Sequence, residues 1–450
     1  MRTSFDVIIL GSGPSANSIA SACAKAGRSV ALIDKREIGG VCALRGCNPK
    51  KVLVRAAELV DWARRAQGKL IAPCDVTIDW RQLIEFKREF TEGVTDSKTE
   101  RFEELGIEVI QGEARFTGRQ TLEVNGIALQ AESIVLGTGA RPATLGIEGE
   151  DLVMHSEDFL DTEMLPRRIL FVGGGYISLE FAHIARRAGA EVQIYESGPR
   201  VLSGFEEDLV DRLVEHSRSL DIAIHTEREV RAIRRGDEGL RVTITSGDET
   251  EEMVTDMVVH GGGRVPSVDG LNLEAAEVTT DEQGVVVNAY LQSVSNPNVF
   301  ATGDVASSGQ PKLTPVANEQ GSTVARSLTG NRLYLPDYGV VPRVAFTIPA
   351  LASVGITESQ ARDMGLAYEV RAEDIREWSS IRKVGGDVAA YKILVEKETD
   401  RLLGAHLLAP DAAETINLFA LAMKYGHTAT ELKSVLFGFP TFAHDVRSML

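Results

Sequence analysis

Twice in this chain an apolar run breaks into a glycine turn, a helical stretch follows, and a second apolar run ends in an acid. In both copies the acid stands 23 residues after the first glycine of the turn. The first copy is a strand at 5–10, the turn Gly11-Ser12-Gly13-Pro14-Ser15-Ala16, a helix at 17–27, a strand at 29–33 and Asp34. The second is a strand at 168–172, the turn Gly173-Gly174-Gly175-Tyr176-Ile177-Ser178, a helix at 179–188, a strand at 191–195 and Glu196. Each position has a physical task. Gly11 permits the tight turn, Gly13 lets a pyrophosphate approach the backbone, and Ala16 lets helix pack on strand. The helix N-terminus faces the phosphates, and Asp34 accepts from a ribose. A lone glycine turn says little. Strand, helix and acid in register, twice, dictate an α/β chain with two Rossmann-like dinucleotide-binding domains. Two such units imply two cofactors with electrons passing between them. Glu196 repels a 2′-phosphate and accepts from a 2′-hydroxyl, which favours NADH over NADPH; nearby Arg200 pulls the other way.

A few residues after Asp34 comes Gly39-Gly40-Val41-Cys42-Ala43-Leu44-Arg45-Gly46-Cys47-Asn48-Pro49-Lys50-Lys51. Two thiols at this spacing can close a small, strained and therefore reducible ring across one distorted helical turn. Two unrelated buried thiols is the plainer alternative. A metal site is not expected, because no close cluster of further His or Cys ligands accompanies the pair. Cys23 in the first helix reads as buried filler and Cys74 as a lone loop thiol.

The 450 residues exceed a single core. A net charge of -17 argues against nucleic acid or an anionic membrane as partner, since both require a positive footprint. Four cysteines make no secreted disulfide framework. The first strand begins too early for a signal peptide and no apolar run would cross a bilayer. A cytoplasmic enzyme is the expectation.

Between and beyond the repeats, helices are expected at 52–66 and, as one long helix with a solvated charged face, between 78 and 105. Strands follow near 107–111, 122–124 and 133–136, with a strand-rich portion at 230–259. Gly261-Gly262-Gly263-Arg264-Val265-Pro266 closes the second unit. The strand at 299–301 ends in Gly303-Asp304, where a carboxylate could hold ribityl hydroxyls. The last 115 or so residues alternate strands (344–346, 390–396, 401–408) with helices (358–364, 412–425), which suggests a separate α+β domain.

Taken in order, these motifs resemble the flavin-dependent pyridine nucleotide-disulfide oxidoreductases of the glutathione reductase and dihydrolipoamide dehydrogenase type, over essentially the whole chain. The resemblance implies an FAD-binding domain (1–150 and 270–333), an inserted NAD(P)-binding domain (151–269) and a C-terminal dimerisation domain (334–450). It also implies a homodimer whose active site is shared between subunits. By position it gives FAD to Gly11, Gly13, Ala16, Asp34, Val41, Ala114, Thr138, Gly139, Asp304, Thr314 and Ala317. It gives the nicotinamide nucleotide to Gly173, Gly175, Tyr176 (an aromatic gate), Ile177, Glu196 and Arg264. Cys42 becomes the interchange thiol, Cys47 the charge-transfer thiol, and Lys50 with Glu180 an ion pair near the flavin.

One departure stands out. The family's C-terminal His-Pro-Thr, with a Glu five residues after the His, here reads Phe439-Pro440-Thr441-Phe442-Ala443-His444. Phe439 cannot transfer a proton, and an apolar ring raises the pKa of a neighbouring thiolate. Ordinary disulfide reduction is then slow unless His444 reaches in or the substrate brings its own acid. Three readings follow. The first is a reductase that passes electrons from NAD(P)H through flavin to the Cys42–Cys47 disulfide and on to a disulfide or thioether. The second is C–S bond cleavage, as in the 2-ketopropyl-coenzyme M oxidoreductase/carboxylase branch, which the Phe-His replacement resembles. The third is a catalytically weakened flavin redox sensor.

Overall fold

A computed structural model describes residues 2–450, which divide into two compact units. The first comprises residues 2–50, 86–143 and 264–338. At its centre the strand Ser4–Leu10 pairs in parallel with Val30–Asp34 on one side and Ile127–Leu136 on the other. Ile8, Ile9, Ala31, Leu32, Ile134 and Val135 are fully or almost fully buried. Burial on both faces is why these strands read as unbroken apolar runs rather than alternating ones. Each large apolar side chain so enclosed contributes roughly 1.5–3 kcal/mol. Glu108–Gln111 extends the sheet in parallel, Val299–Ala301 joins Ile127–Leu136, and an antiparallel pair, Thr121–Val124 and Ala114–Gly118, completes it. The helices Pro14–Lys25 and Thr314–Thr329 pack together against it, so close that a Cβ at Gly321 would sit 2.7 Å from the backbone of Ser15.

The second unit comprises residues 51–85, 144–263 and 339–450. It holds a four-stranded parallel sheet in the order Ile222–His225, Glu191–Tyr195, Arg168–Val172, Met257–His260. A three-stranded antiparallel meander, Glu229–Gly236, Gly239–Ser246 and Glu249–Thr255, follows the order of the chain. The last portion is an antiparallel five-stranded sheet built from Arg343–Ala345, Ala350–Gly355, Leu402–Ala409, Ala390–Glu396 and Tyr368–Asp374. The helix Ala412–Lys424 buries Ile416, Phe419 and Ala422 beneath that sheet.

Two expectations are corrected. The single helix at 78–105 is two, Trp80–Arg88 and Val94–Glu104, separated where Gly93 takes φ 73°. That left-handed backbone cannot continue a helix. Nor is the charged face wholly solvated: Lys87 is only 2% exposed and Lys98 is half-buried.

Candidate active site

The first glycine turn is built by close backbone approach. Gly11 has φ 103°, and a Cβ there would lie 2.3 Å from the carbonyl oxygen of Gly137. A Cβ on Gly13, by contrast, would meet nothing within 4 Å, so open space lies before the N-terminus of the helix Pro14–Lys25. Ala16 is buried against Gly137. Asp34 accepts from Ser12 Oγ at 2.6 Å and from the Arg36 amide at 3.0 Å, which fixes its carboxylate at the strand end. Gly139 has φ 70°, and Thr138 Oγ1 donates to the Ser267 carbonyl at 2.7 Å. Arg264 donates to the Ala140 carbonyl, and Ala114 is buried at the start of its strand. Asp304 follows the strand Val299–Ala301, and Ala317 packs near Gly303. Burial pushes the Asp304 carboxyl up in pKa, and among the described residues no donor reaches it. An open space before a helix N-terminus, and an enclosed carboxyl without a donor, fit the phosphates and hydroxyls of FAD.

The second turn repeats the design. Gly173 has φ 92°, and a Cβ there would meet the Gly261 backbone at 2.7 Å. Gly175 caps the helix Tyr176–Arg187, on which Tyr176 is exposed and Ile177 half-buried. Glu196 accepts from the amides of Gly174 and Gly198, each at 2.6 Å, so its carboxylate is locked beside the turn. Arg200 is engaged by Asp211 and Glu207 instead.

The dithiol stands on this framework. Gly40 has φ 73°, and a Cβ there would lie 2.6 Å from Gly13 Cα, so the diglycine rests directly on the first nucleotide turn. The chain then makes a five-residue helix, Gly40–Leu44, breaks at Arg45 and Gly46, and starts the long helix Cys47–Ala66 with the second cysteine itself. Cys42 is half-buried and Cys47 exposed, and the two are thiols here. Between them reaches Thr314, the first residue of the helix Thr314–Thr329. Its Oγ1 donates to Cys42 Sγ at 3.4 Å and lies 3.7 Å from Cys47 Sγ. The Cys42 pKa is pushed up, first by its hydrogen bond to Cys47 and then by burial, while Thr314 pulls it down. Cys42 therefore holds its proton more tightly than an ordinary thiol. Val41, beside Cys42, is 40% exposed.

Other expected residues fall as follows. Glu180 is buried and accepts from the Phe346 amide at 2.9 Å and from Lys51 Nζ at 3.2 Å. Lys51 Nζ also sits 3.2 Å from the centroid of the Phe346 ring. Lys50, expected to pair with Glu180, is buried as well. Phe439 is 79% exposed, with the His444 ring edge-to-face at 4.9 Å. Thr441 Oγ1 caps the final helix, Phe442–Met449, and His444 Nδ1 is buried without a hydrogen-bond partner. Sequence reasoning gave Thr314 to the flavin alone and overlooked Lys98, whose ammonium donates to the Gly39 carbonyl at 3.1 Å. A lysine among helical charges carries no signal of such a position. Among the described residues the acids close enough to share a metal ion, Glu206, Asp208 and Glu358, surround the Lys392 ammonium, which already supplies the cation.

Residues 5–321 match the pyridine nucleotide-disulphide oxidoreductase family, and residues 341–450 match its dimerisation domain. The chain is 31% identical to a glutathione reductase of Burkholderia cepacia, covering 98% of this chain and 97% of that protein. It is 32% identical to a mercuric reductase of Streptomyces lividans, covering 99% and 95%. Among solved structures, the Cu(II) complex of the HOCl-induced flavoprotein disulfide reductase RclA from Escherichia coli superposes with a TM-score of 0.88. It is 27% identical and covers 100% of this chain and 99% of its own.

Proposed function

Because this chain belongs to the pyridine nucleotide-disulphide oxidoreductases, we propose that its Cys42–Cys47 dithiol delivers electrons from NAD(P)H to a small disulfide or thioether. The chain is an FAD- and NAD(P)H-dependent flavoprotein oxidoreductase acting on sulfur groups, with a dimerisation domain. The observation that carries the finer reading is the pair itself: two sulfurs brought to one hydroxyl, at a helix N-terminus.

FAD, when bound, accepts hydride from the nicotinamide and passes the electron pair toward the dithiol. Gly11, Gly13, Ala16, Asp34, Val41, Ala114, Thr138, Gly139, Asp304, Thr314 and Ala317 would hold it. Gly173, Gly175, Tyr176, Ile177, Glu196 and Arg264 would hold the nicotinamide nucleotide, and Glu196 favours NADH. By the family resemblance, Lys50 with Glu180 would set the charge near the flavin. The Cys47 thiolate is supported by the helix it begins. Cys42 gives up its proton and its sulfur attacks one sulfur of the substrate, so that the other leaves as a thiolate. Cys47 then attacks the Cys42 sulfur, releases the second thiolate and closes the Cys42–Cys47 disulfide. Phe439 offers no proton to either leaving group, so substrates whose released thiol is acidic, or which carry their own acid, are favoured. In the homodimer the exposed apolar segment carrying Val435, Leu436 and Phe439, with His444 behind it, completes the partner's site. A cytoplasmic location belongs to the same reading, since both thiols must stay reducible; no described helix is long and apolar enough to cross a membrane.

A second reading has a specific support. A thiophilic metal ion takes electrons from two sulfurs without needing a general acid, which suits Phe439. Relatives named for mercury reduction and for a Cu(II) complex are in keeping with it.

Anaerobic titration with NADH, and separately NADPH, tests the proposal. A long-wavelength thiolate–flavin band, and loss of disulfide turnover in Cys42→Ser with nicotinamide-driven flavin reduction retained, are expected. Turnover that survives Cys42→Ser refutes the dithiol route and moves the sensor reading ahead.

A further inference from the structure

Phe439 replaces the imidazole expected at the dithiol, and the structure sets another cation on the turn that leads to Cys42. Lys98 lies on the helix Val94–Glu104, and its Nζ donates to the carbonyl of Gly39, the residue that caps the short helix carrying Cys42. The ammonium is half-buried and pairs with no carboxylate among the described residues. Burial depresses its pKa, the field of Cys42 raises it, and Arg101, one turn on, depresses it further. Cys47 and Thr314 act directly on Cys42, while Arg45 on the same turn is engaged by Glu37. A lysine brought out of water without a counter-ion is costly unless negative charge arrives at times in its neighbourhood. Here that charge is a thiolate or an anionic substrate. In a chain of net charge -17 a local cation also decides whether an anion can approach at all.

We propose that Lys98 is the fixed cation of the dithiol site, stabilising the Cys42 thiolate as it attacks and favouring substrates that carry negative charge beside the reacting sulfur. Lys98 is a positioning residue: it acts through Cys42. The inference rests on Cys42 being the attacking thiol.

The test uses the reduced holoenzyme, alkylated with iodoacetamide (neutral) or iodoacetate (anionic), with each modified cysteine identified by peptide mass. Exposed Cys74, beside Asp75, is the internal reference. In the unmodified protein the iodoacetate-to-iodoacetamide rate ratio should be higher at Cys42 than at Cys74, and added salt should bring the two together. In Lys98→Met the Cys42 ratio should fall severalfold. Its alkylation profile should move up by about one pH unit, the low end for a lost neighbouring charge. Lys98→Arg should restore both. Equal ratios at the two cysteines in the unmodified protein overturn the proposal, whether or not the variant folds. So does a Lys98→Met profile that superimposes on the original. A Lys98→Met protein that folds but has lost its flavin assigns the lysine to the cofactor and also overturns it. Label on Cys47 in place of Cys42 instead overturns the assignment of the attacking thiol, and this inference with it.

Discussion

Replacing Thr314 by valine removes one hydroxyl and keeps the shape. That hydroxyl reaches Cys42 Sγ at 3.4 Å and Cys47 Sγ at 3.7 Å, and it has one hydrogen to give. A hydrogen bond to a charged group contributes roughly 1.5–3 kcal/mol. The contacts to sulfur are long and Cys47 is exposed, so the lower end applies, about 1.5 kcal/mol. At 1.36 kcal/mol per unit, this is about one pKa unit. Thr314 lowers the Cys42 pKa, so Thr314→Val should move thiolate formation about one unit to higher pH. The assay is the rate of Cys42 alkylation against pH in reduced protein, with the label located by peptide mass. Thr314→Ser should restore the original curve. Coincident curves for Thr314→Val and the parent would refute the claim that this hydroxyl holds charge on the dithiol.

Three further outcomes are expected. Phe439→His restores a proton donor, so turnover of a disulfide with a weakly acidic released thiol should rise at least about tenfold; unchanged turnover would show that the missing acid does not limit the rate. Glu196→Ala frees the amides of Gly174 and Gly198 and removes the negative charge, so kcat/KM for NADPH relative to NADH should rise about tenfold, worth about 1.4 kcal/mol; an unmoved ratio would mean that the acid does not read the ribose. Lys392→Met strands Glu206, Asp208 and Glu358 without their cation and should cost about 3–5 kcal/mol in denaturant unfolding at pH 7. Although burial opposes it, the Lys392 contact leaves Asp208 with a lowered pKa. The stabilisation is therefore present above the unfolded value of about 4 and is lost as pH falls, so the gap between variant and parent should narrow on acidification. A gap independent of pH would assign the loss to packing.

Features that depend on short-range pattern were legible in the sequence. Both glycine turns lie where spacing put them, and strands Arg168–Val172, Glu191–Tyr195 and Ala390–Glu396 have the expected bounds. Apolar runs between turn residues leave few alternatives there, and the motifs carried the family with them. The helix at 78–105 was misread because its charges outweighed one glycine. Yet at Gly93 a backbone of φ 73° ends the run whatever the neighbouring propensities.

The site divides in the same way. The sequence alone determined that two nucleotide turns and a reducible pair of cysteines share one chain, and that Phe439 and His444 stand where an acid and its carboxylate would be. Only the tertiary structure decided what surrounds the sulfurs. Thr314 lies 272 residues from Cys42, and Lys98 lies 59 residues from the carbonyl it holds. It also put Lys51 on Glu180, 129 residues away. The physical reason is that charge and hydrogen bonding act over a few ångströms of space, whereas a sequence motif records only neighbours along the chain. A helix such as Val94–Glu104 shows, as sequence, many equivalent charges. Packing then takes one of them partly out of water and sets it on the carbonyl of Gly39, three residues before a thiol.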